Sequence, residues 1–350
     1  MLAILVSEYG LLFIGVTVLV LLSGLWIKKY QVLGTAAGII TLALLLLPIV
    51  KAYNVGTNIK ADIDRAFLLC GKPAKTFSSA FKPFTFSKLF RKDPQSAFQT
   101  LKYVSYPDTS LTLDYYKSNA TGKRPCIVVI HGGSWSSGDS RQLPELNAML
   151  SQSGYQVASI NYRLAPRWKS PAPLQDVKAA LTYLRKHACQ LQIDTGKIIL
   201  LGRSAGAQIA LLAAYTLKQQ GIKGVIDFYG PADMVWGYSV PAPKLIMDSR
   251  GVMANYLDGY YSKVPQNYAG SSPIRYVSVQ SVPTLIIHGA NDVLVAYEHS
   301  RRLSEKLKQN GVPHYWLQLP WATHGFDHHL NGPGGQLSSF AVQQFLRQIL

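Results

Sequence analysis

The chain is 350 residues long, and only 15% of these are charged, against about 25% in an ordinary soluble domain. With 48% apolar residues, the composition excludes a disordered chain and a coiled coil, and it indicates that part of the chain does not face water. The 35 Lys and Arg residues exceed the 18 Asp and Glu residues to give a net charge of +17. So strong a positive field favours nucleic acid or an anionic membrane surface as a partner.

The first 50 residues contain two long apolar runs. Residues 9–27 and 30–50 carry no charged side chain, and each is long enough as a helix to approach or exceed the roughly 30 Å hydrocarbon core of a bilayer. Only Lys28 and Lys29 separate them, so the sequence predicts a membrane anchor of two transmembrane helices over residues 1–50. A signal peptide is disfavoured because Glu8, and no basic residue, precedes the first run. The basic residues beside the spans favour, weakly, a cytoplasmic main domain.

Residues 51–99 combine basic and aromatic side chains. Residues 51–100 hold nine basic and three acidic residues, with phenylalanines among the basic ones at Phe77, Phe81, Phe84, Phe86 and Phe90. Beside a membrane anchor this pattern is typical of an interfacial segment on anionic lipid. The alternatives are a plain juxtamembrane linker and phenylalanines that pack on the main domain. No recognised nucleic-acid module is present, so we expect an anionic membrane surface, and no nucleic acid, as a partner.

From residue 100 to 350 the pattern predicts an α/β domain. An antiparallel hairpin is expected over residues 101–106 and 111–116. Short apolar runs suited to buried strands follow at residues 126–130, 157–160, 197–201, 224–229, 283–288 and 315–319. Helical stretches alternate with them around residues 174–185, 205–217, 296–309 and 336–350. Buried strands separated by helices predict a mostly parallel sheet covered on both faces.

Two glycine-containing motifs follow predicted strands. Residues 202–206 read Gly-Arg-Ser-Ala-Gly between a strand and a helix, and glycines on both sides of Ser204 let the chain reverse sharply and expose its hydroxyl. Residues 131–135 read His-Gly-Gly-Ser-Trp after another strand. Consecutive glycines let backbone N–H groups approach a substrate oxygen. An acyl-transfer serine needs such donors, and the N–H of Ala205 is a second candidate.

A serine hydroxyl needs an imidazole to take its proton and a carboxylate to orient that imidazole. Asp292 follows the strand predicted at residues 283–288, and His324 follows the strand predicted at residues 315–319. The chain order Ser204, Asp292, His324 is the nucleophile–acid–histidine order of one known hydrolase architecture. Since chemistry in parallel sheets lies at the carboxyl ends of strands, we expect these side chains to meet there.

Residues 100–350 resemble the α/β-hydrolase superfamily, and within it the carboxylesterases related to hormone-sensitive lipase and the BD-FAE-type esterases. The matching stretches are residues 131–135, 161–166 and 202–206, the Ser272-Pro273 pair, and the surroundings of Asp292 and His324. The resemblance implies an α/β-hydrolase fold and hydrolysis of a small-molecule or lipid-like carboxylic ester without a cofactor. It also implies roles for particular residues: nucleophile Ser204, general base His324, orienting acid Asp292, and oxyanion donors Gly132, Gly133 and Ala205.

Some features depart from the family pattern or stay open. Arg203 precedes the serine in place of an acidic residue, and it suits either an anionic substrate or a local salt bridge. A pocket is expected from Trp135 and from an aromatic insertion over residues 231–271 that includes Trp236 and Tyr238. His324 and His328 are four residues apart, but the surrounding sequence lacks a zinc motif, so no metal site is expected. An amidase, formamidase or peptidase, or a silent membrane scaffold, remains the alternative function.

Overall fold

The computed structural model describes residues 2–24, 31–68, 82–217 and 221–350. The N-terminal part is helical, with α1 (Leu2–Glu8), α2 (Gly10–Gly24), α3 (Gln31–Gly56) and α4 (Ile59–Leu68). The strands are β1 (Gln99–Tyr106), β2 (Thr109–Tyr116), β3 (Arg124–Ile130), β4 (Gln156–Ile160), β5 (Ile193–Arg203), β6 (Ile222–Phe228), β7 (Thr284–Gly289) and β8 (His314–Leu319). The later helices are α5 (Pro144–Gln152), α6 (Ala172–Lys186), α7 (Ala205–Thr216), α8 (Met234–Ser239), α9 (Ser249–Leu257), α10 (Pro265–Gly270), α11 (Glu298–Gln309) and α12 (Pro333–Ile349).

The strands form one sheet in the order β1-β2-β4-β3-β5-β6-β7-β8. The β1–β2 and β2–β4 pairs are antiparallel, and the strands from β4 and β3 through β8 pair in parallel. The order reverses at β3, because β4 lies on one side of it and β5 on the other. The carboxyl ends of β3 and β5 therefore adjoin at the switch point where ligands bind in open α/β sheets.

Both faces of the sheet are covered, as the continuous apolar runs predict. In β3, Cys126, Val128 and Ile130 pack into the core on one face, where α6, α7 and α11 lie. Ile127 and Val129 pack into the core on the other face with α4, α5 and α12. Alternate residues of a strand point to opposite faces, so only a strand buried on both sides needs an unbroken apolar sequence. The predicted fold class, a mostly parallel sheet with helices on both faces, is confirmed.

The N-terminal apolar helices α2 and α3 pack against each other in opposite directions. A Cβ at Gly10 would lie 3.3 Å from the Leu45 carbonyl oxygen, and one at Gly38 would meet the Leu21 side chain. The segment Gln31–Phe67 contains a helix long and apolar enough to cross a membrane, and its apolar window is 11% buried. Such a helix near an N-terminus suits a membrane span and a signal sequence alike.

The expectation of two full transmembrane helices is not supported in that form. The described part of α2 is 15 residues long, about 22 Å as a helix, which is short of a hydrocarbon core of roughly 30 Å. Among the described helices only the one that begins at Gln31 has the required length. Lys28 and Lys29, and with them the predicted turn, lie outside the described residues.

Part of residues 51–99 packs on the sheet. Ile59, Ile63 and Phe67 of α4 are buried in the same core as α12, and Phe84 joins them. Phe86 and Phe90 point outward, 53% and 69% exposed. Phe77 and Phe81 lie outside the described residues. Of the phenylalanines that the sequence places among basic residues, Phe84 thus packs on the main domain, whereas Phe86 and Phe90 face solvent.

A buried carboxylate fixes the edge of the sheet near the hairpin. Asp176 of α6 accepts hydrogen bonds from the Tyr106 hydroxyl at 2.7 Å and the Arg163 backbone N–H at 2.8 Å. It also pairs with the Arg163 guanidinium at 2.9 Å, and its side chain is completely buried. Asp176 thereby ties α6 to β1 and to the loop after β4.

Replacing Asp176 by Ala should lower the free energy of unfolding by about 3–5 kcal/mol, because it leaves a buried guanidinium without its partner. Urea denaturation of the detergent-solubilised protein measures this. The control is Lys169→Ala, which breaks the exposed Lys169–Asp258 pair and should cost less than about 1 kcal/mol. Equal costs for the two variants would contradict this account of Asp176.

Candidate active site

Ser204 stands at a strained turn between β5 and α7. Its φ is +52° and its ψ is −122°, and its backbone N–H donates to the Phe228 carbonyl at 2.9 Å. A Cβ at Gly202 would lie 2.2 Å from the Gly206 carbonyl oxygen, and one at Gly206 would lie 2.2 Å from the His131 carbonyl oxygen. Only glycine fits at both positions, and the tight turn pushes the Ser204 hydroxyl out of the sheet edge.

The structure brings Ser204, His324 and Asp292 together, as the chain order predicts. The His324 Nε2 atom lies 3.0 Å from the Ser204 hydroxyl oxygen. The Nδ1 atom of the same ring lies 2.7 Å from Asp292 Oδ2. His324 keeps 17% of its side-chain surface exposed, whereas the Asp292 side chain is fully buried. With Nδ1 donating to the carboxylate, Nε2 is left as the acceptor that faces the serine.

Asp292 is held in its ionised form by its neighbours. Its Oδ1 atom accepts the N–H groups of Leu294 and Val295, each at 2.9 Å, and its Oδ2 atom also lies 3.1 Å from His288 Nε2. Burial alone would raise the pKa of Asp292, but the hydrogen bonds from His288 and His324 hold that pKa well below its ordinary value. A permanently charged carboxylate here can orient the His324 ring and stabilise its protonated form.

His288 is a partner that sequence reasoning missed. Its position at the end of the strand predicted at residues 283–288 indicates by itself only a structural hydrogen-bonding role. In the structure its Nδ1 atom lies 2.6 Å from the Ser300 hydroxyl, and its Nε2 atom reaches the carboxylate that orients His324. The available signal was its spacing, since His288 is the penultimate residue of β7 and precedes Asp292 by only four residues.

The three expected backbone donors differ in their surroundings. The Gly132 N–H donates to the Gln142 side-chain oxygen at 2.7 Å, so it is already satisfied. Gly133 has φ +115°, and a Cβ there would lie 2.1 Å from the Ser137 carbonyl oxygen. Ala205 opens α7, so its N–H has no partner within the helix. The β3–β5 register pairs Ile130 with Gly202, which brings this glycine loop beside Ser204.

Arg203 forms a buried salt bridge with Asp327. Its Nε atom lies 2.5 Å from Asp327 Oδ2, and both side chains are 2% exposed. The Tyr229 hydroxyl donates to the other oxygen of Asp327 at 2.5 Å, and the Tyr229 ring lies 4.5 Å from the His324 ring. Of the two readings left open for Arg203, the structure favours the local pair. This pair joins the residue before Ser204 to the loop that carries His324.

Two cavities meet at Ser204. One has a volume of about 80 Å³ and an apolar wall that includes Met234, Val252 and Met253. The other is a cleft of about 510 Å³ lined by Gly132, Gly133, Arg203, Tyr229 and His328, among others. Ser204 and His324 border both. The hydroxyl therefore lies between a small apolar chamber and a larger, more polar cleft.

The predicted pocket aromatics are only partly correct. Trp135 lines the small cavity, where it stacks on Tyr256 with ring centroids 4.6 Å apart. Trp236 and Tyr238 do not line either cavity in the described part of the chain. Trp236 packs edge-on against His299, and Tyr238 packs against Tyr261 and Tyr268. These rings pack between the short helices of the insertion and against α11, and so they form a small core there instead of lining a cavity.

The N-terminal helices contact the loop that carries His324. The Tyr9 ring stacks on His329 with centroids 4.5 Å apart, and the Tyr9 hydroxyl lies 3.4 Å from His328 Nδ1. Glu8 is buried and accepts the Gly334 N–H at 2.8 Å. The two histidines that follow His324 therefore pack on the first helices. Among the described residues, no group of three or more His, Cys, Asp or Glu is placed to hold a metal ion.

Comparison with known proteins supports this reading of the fold. The sequence model of the BD-FAE family matches residues 113–307, more than half of the chain. This range includes Ser204 and Asp292 but ends before His324.

Two esterases of Mycobacterium tuberculosis are similar. LipM, a probable carboxylic ester hydrolase, is 30% identical over 247 residues, 65% of this chain and 55% of LipM. LipC is 29% identical over 262 residues, 69% of this chain and 63% of LipC. The chain thus spans between half and two thirds of the length of these relatives.

Solved structures show the same fold at lower sequence identity. A bacterial heroin esterase superposes with a TM-score of 0.62 at 22% identity, over 72% of this chain and 84% of that chain. A truncated carbohydrate esterase from gut microbiota gives 0.61 at 24% identity, over 73% of this chain and 99% of that chain. At this level of identity the likeness establishes the α/β-hydrolase fold and not the substrate.

The depressed pKa of Asp292 makes stability depend on pH in a definite direction. The folded-state pKa of Asp292 lies below the ordinary value of 3.8. The ionised carboxylate therefore stabilises the folded state fully at a pH well above 3.8, and this stabilisation is lost progressively as the pH falls below 3.8. The wild type should exceed Asp292→Asn in free energy of unfolding by about 2–3 kcal/mol at pH 7, and this difference should shrink below pH 4. Urea denaturation at pH 7, 5 and 3.5 measures it. A difference that does not change with pH would contradict the assignment.

Proposed function

The chain belongs to the BD-FAE family, and from that premise we propose that it is a carboxylic ester hydrolase that works through Ser204, His324 and Asp292. The observation that carries this proposal is the continuous contact from the Ser204 hydroxyl to His324 at 3.0 Å and from His324 to Asp292 at 2.7 Å. The serine lies at a strand-to-helix turn that exposes it between two cavities. A serine, a histidine and a buried carboxylate in this geometry are suited to acyl transfer.

In the proposed reaction, His324 Nε2 takes the Ser204 proton while the serine oxygen bonds to the ester carbonyl carbon. The N–H groups of Gly133 and Ala205 stabilise the negative oxygen that develops. The bond to the alcohol oxygen then breaks, and His324 returns the proton to the departing alcohol. A water molecule activated by His324 next attacks the acyl-enzyme, which releases the acid and restores Ser204. Asp292 stays ionised throughout and stabilises the charged imidazole.

The Gly132 N–H can stabilise the negative oxygen only if its present hydrogen bond is broken. Its N–H is bonded to Gln142 at 2.7 Å, and it becomes a third donor only when that amide moves aside. Gln142 also lines the larger cleft, so a substrate that fills the cleft competes for the same position. Without that movement, the hydrogen-bond donors to the developing negative oxygen are the N–H groups of Gly133 and Ala205.

The cavities suggest how the ester is placed. At roughly 15 Å³ for each water-sized group, the chamber of about 80 Å³ accommodates about five such groups, which suits a short acyl chain. The larger cleft of about 510 Å³ then receives the alcohol part. We infer a substrate that joins a short acyl group to a larger alcohol.

The N-terminal helices support an anchored enzyme. The α2–α3 pair exposes its apolar side chains, among them Leu12 at 70% and Val32 at 84%, and α3 has the length of a span. His328 borders the cleft and contacts Tyr9 at the start of α2. An alcohol part with apolar character could therefore reach the cleft from an anionic bilayer surface. We still predict, from the weak bias of the basic residues, that the main domain lies on the cytoplasmic side of that bilayer.

Replacing Ser204 by Ala should lower kcat/KM on p-nitrophenyl acetate by about 10⁴-fold or more, because the nucleophile is lost. The control is Ser304→Ala, a serine of α11 that bonds to His314 and should leave the rate unchanged. Hydrolysis of p-nitroanilide substrates in the same assay separates an amidase from an esterase. A Ser204→Ala variant as active as the wild type would refute the proposed mechanism.

The small chamber predicts a preference for short acyl chains. Acetyl and butyryl p-nitrophenyl esters should exceed the decanoyl ester in kcat/KM by at least about tenfold. Met253→Ala enlarges the chamber, so it should raise the relative rate on the octanoyl ester, whereas Val279→Ala, an exposed residue distant from both cavities, should not. A preference for decanoyl esters in the wild type would show that the acyl group lies elsewhere.

A further inference from the structure

A third cavity, on the opposite side of the sheet from the acyl chamber, has the composition of a lipid-headgroup site. It has a volume of about 320 Å³ and lies between the short helix Phe86–Phe90 and helices α5 and α12. Four basic side chains line it: Lys82, Lys88, Arg91 and Lys92. We propose that this cavity binds the phosphate group of an anionic membrane lipid.

Three of the four basic side chains that line the cavity have no carboxylate partner among the described residues. Within the described ranges, Lys82, Arg91 and Lys92 form no ion pair with any acidic side chain. The nearest acid in sequence, Asp93, accepts hydrogen bonds from the Asn331 side chain at 2.6 Å and from the Asn331 backbone at 3.2 Å. Burial is the main cause that lowers the pKa of Lys88, and repulsion from the neighbouring Arg91 adds to it. An anion placed among them would relieve this repulsion.

Part of the wall of the same cavity is apolar. Met149, Leu330 and Phe340 line it, together with uncharged polar side chains of α5, of α12 and of the loop before α12. A free inorganic phosphate gains nothing from the apolar part of the wall, whereas the glycerol and first methylenes of a lipid would bury apolar surface there. Outside the rim, Phe86 and Phe90 expose more than half of their surface and pack on each other with centroids 5.6 Å apart. Exposed aromatic rings beside basic side chains are typical of a membrane interface.

The cavity also lies at the depth where headgroups are expected. A Cβ at Gly56, the last residue of α3, would lie 3.3 Å from the Pro83 side chain, which is next to Lys82. If the span of α3 ends near residue 50, Gly56 lies about 9 Å further along the helix axis. The polar region of a bilayer leaflet is roughly 5–8 Å thick, so this end of the cavity lies just outside it, where a long side chain such as that of Lys82 reaches back to the phosphates. This inference rests on the proposed anchoring, and it is independent of the proposed ester hydrolysis.

The test is a calorimetric titration of the full-length protein in a neutral detergent. The probes are ether-linked dihexyl glycerophosphate, which an esterase does not cleave, its phosphocholine counterpart, and inorganic phosphate. The variant Arg91→Gln/Lys92→Gln removes two cations from the rim. The matched control, Lys306→Gln/Lys308→Gln on α11, removes the same charge far from the cavity. The single variant Lys82→Gln gives an independent reading if the double variant unfolds.

The wild type should bind the dihexyl glycerophosphate more tightly than inorganic phosphate and at least tenfold more tightly than the phosphocholine lipid. At about 1 kcal/mol for each basic residue, the double variant should weaken binding about 30-fold and Lys82→Gln about fivefold, while the control variant binds like the wild type. Equal weakening in both double variants would show a response to net charge alone and overturn the proposal. Inorganic phosphate binding as tightly as the lipid would overturn the lipid assignment. A normal rate on p-nitrophenyl acetate in all variants keeps this result separate from the proposed hydrolysis.

Discussion

The candidate active site depends on a buried ion pair that holds two loops in register. Arg203 directly precedes Ser204, and Asp327 follows His324 by three residues, so their 2.5 Å contact fixes the serine turn against the histidine loop. Tyr229 completes the link, since it bonds to Asp327 and packs on the His324 ring. A buried pair of this kind is costly to desolvate, and its main effect is on geometry rather than on net stability. The 3.0 Å contact between Ser204 and His324 needs such a constraint, because the two residues lie 120 positions apart in the chain.

The same histidine loop is also the meeting point with the N-terminal helices. Tyr9 contacts His328 and His329, and Glu8 bonds to the first turn of α12. The apolar helices are therefore not an independent appendage, because they pack on elements that hold the proposed general base in place. In the anchored hydrolase that we propose, this arrangement keeps the cleft beside the N-terminal helices. The loop between β8 and α12 also lines both the cleft and the basic cavity.

Much of the fold and the site followed from the sequence because the signals are local. Short apolar runs bounded by turn signals are typical of strands buried on both faces, and each such run from residue 100 onward lies within an observed strand or within a residue of its ends. The glycines around Ser204 are required by contacts of 2.2 Å, so the motif itself encodes the turn. Ser204, Asp292 and His324 each follow a parallel strand. Because the carboxyl ends of parallel strands meet at one edge of the sheet, the three side chains are expected there.

The remaining features depend on tertiary contacts that no local pattern carries. Trp236 and Tyr238 look like pocket residues by composition, but they fill the core between short helices. Gly132 looks like an open donor, but Gln142, ten residues later, takes its N–H. Arg203 has two plausible roles until the position of Asp327 is known. The basic residues of 82–92 form a cavity only because α5 and α12 supply part of its wall.

The most direct test of the central claim is to identify the residue that reacts as a nucleophile. The detergent-solubilised full-length protein is treated with a fluorophosphonate, digested, and analysed by mass spectrometry. The account predicts a single adduct on Ser204 that Asp292→Asn and His324→Ala strongly suppress. An unlabelled protein, or an adduct on a different serine, would contradict it.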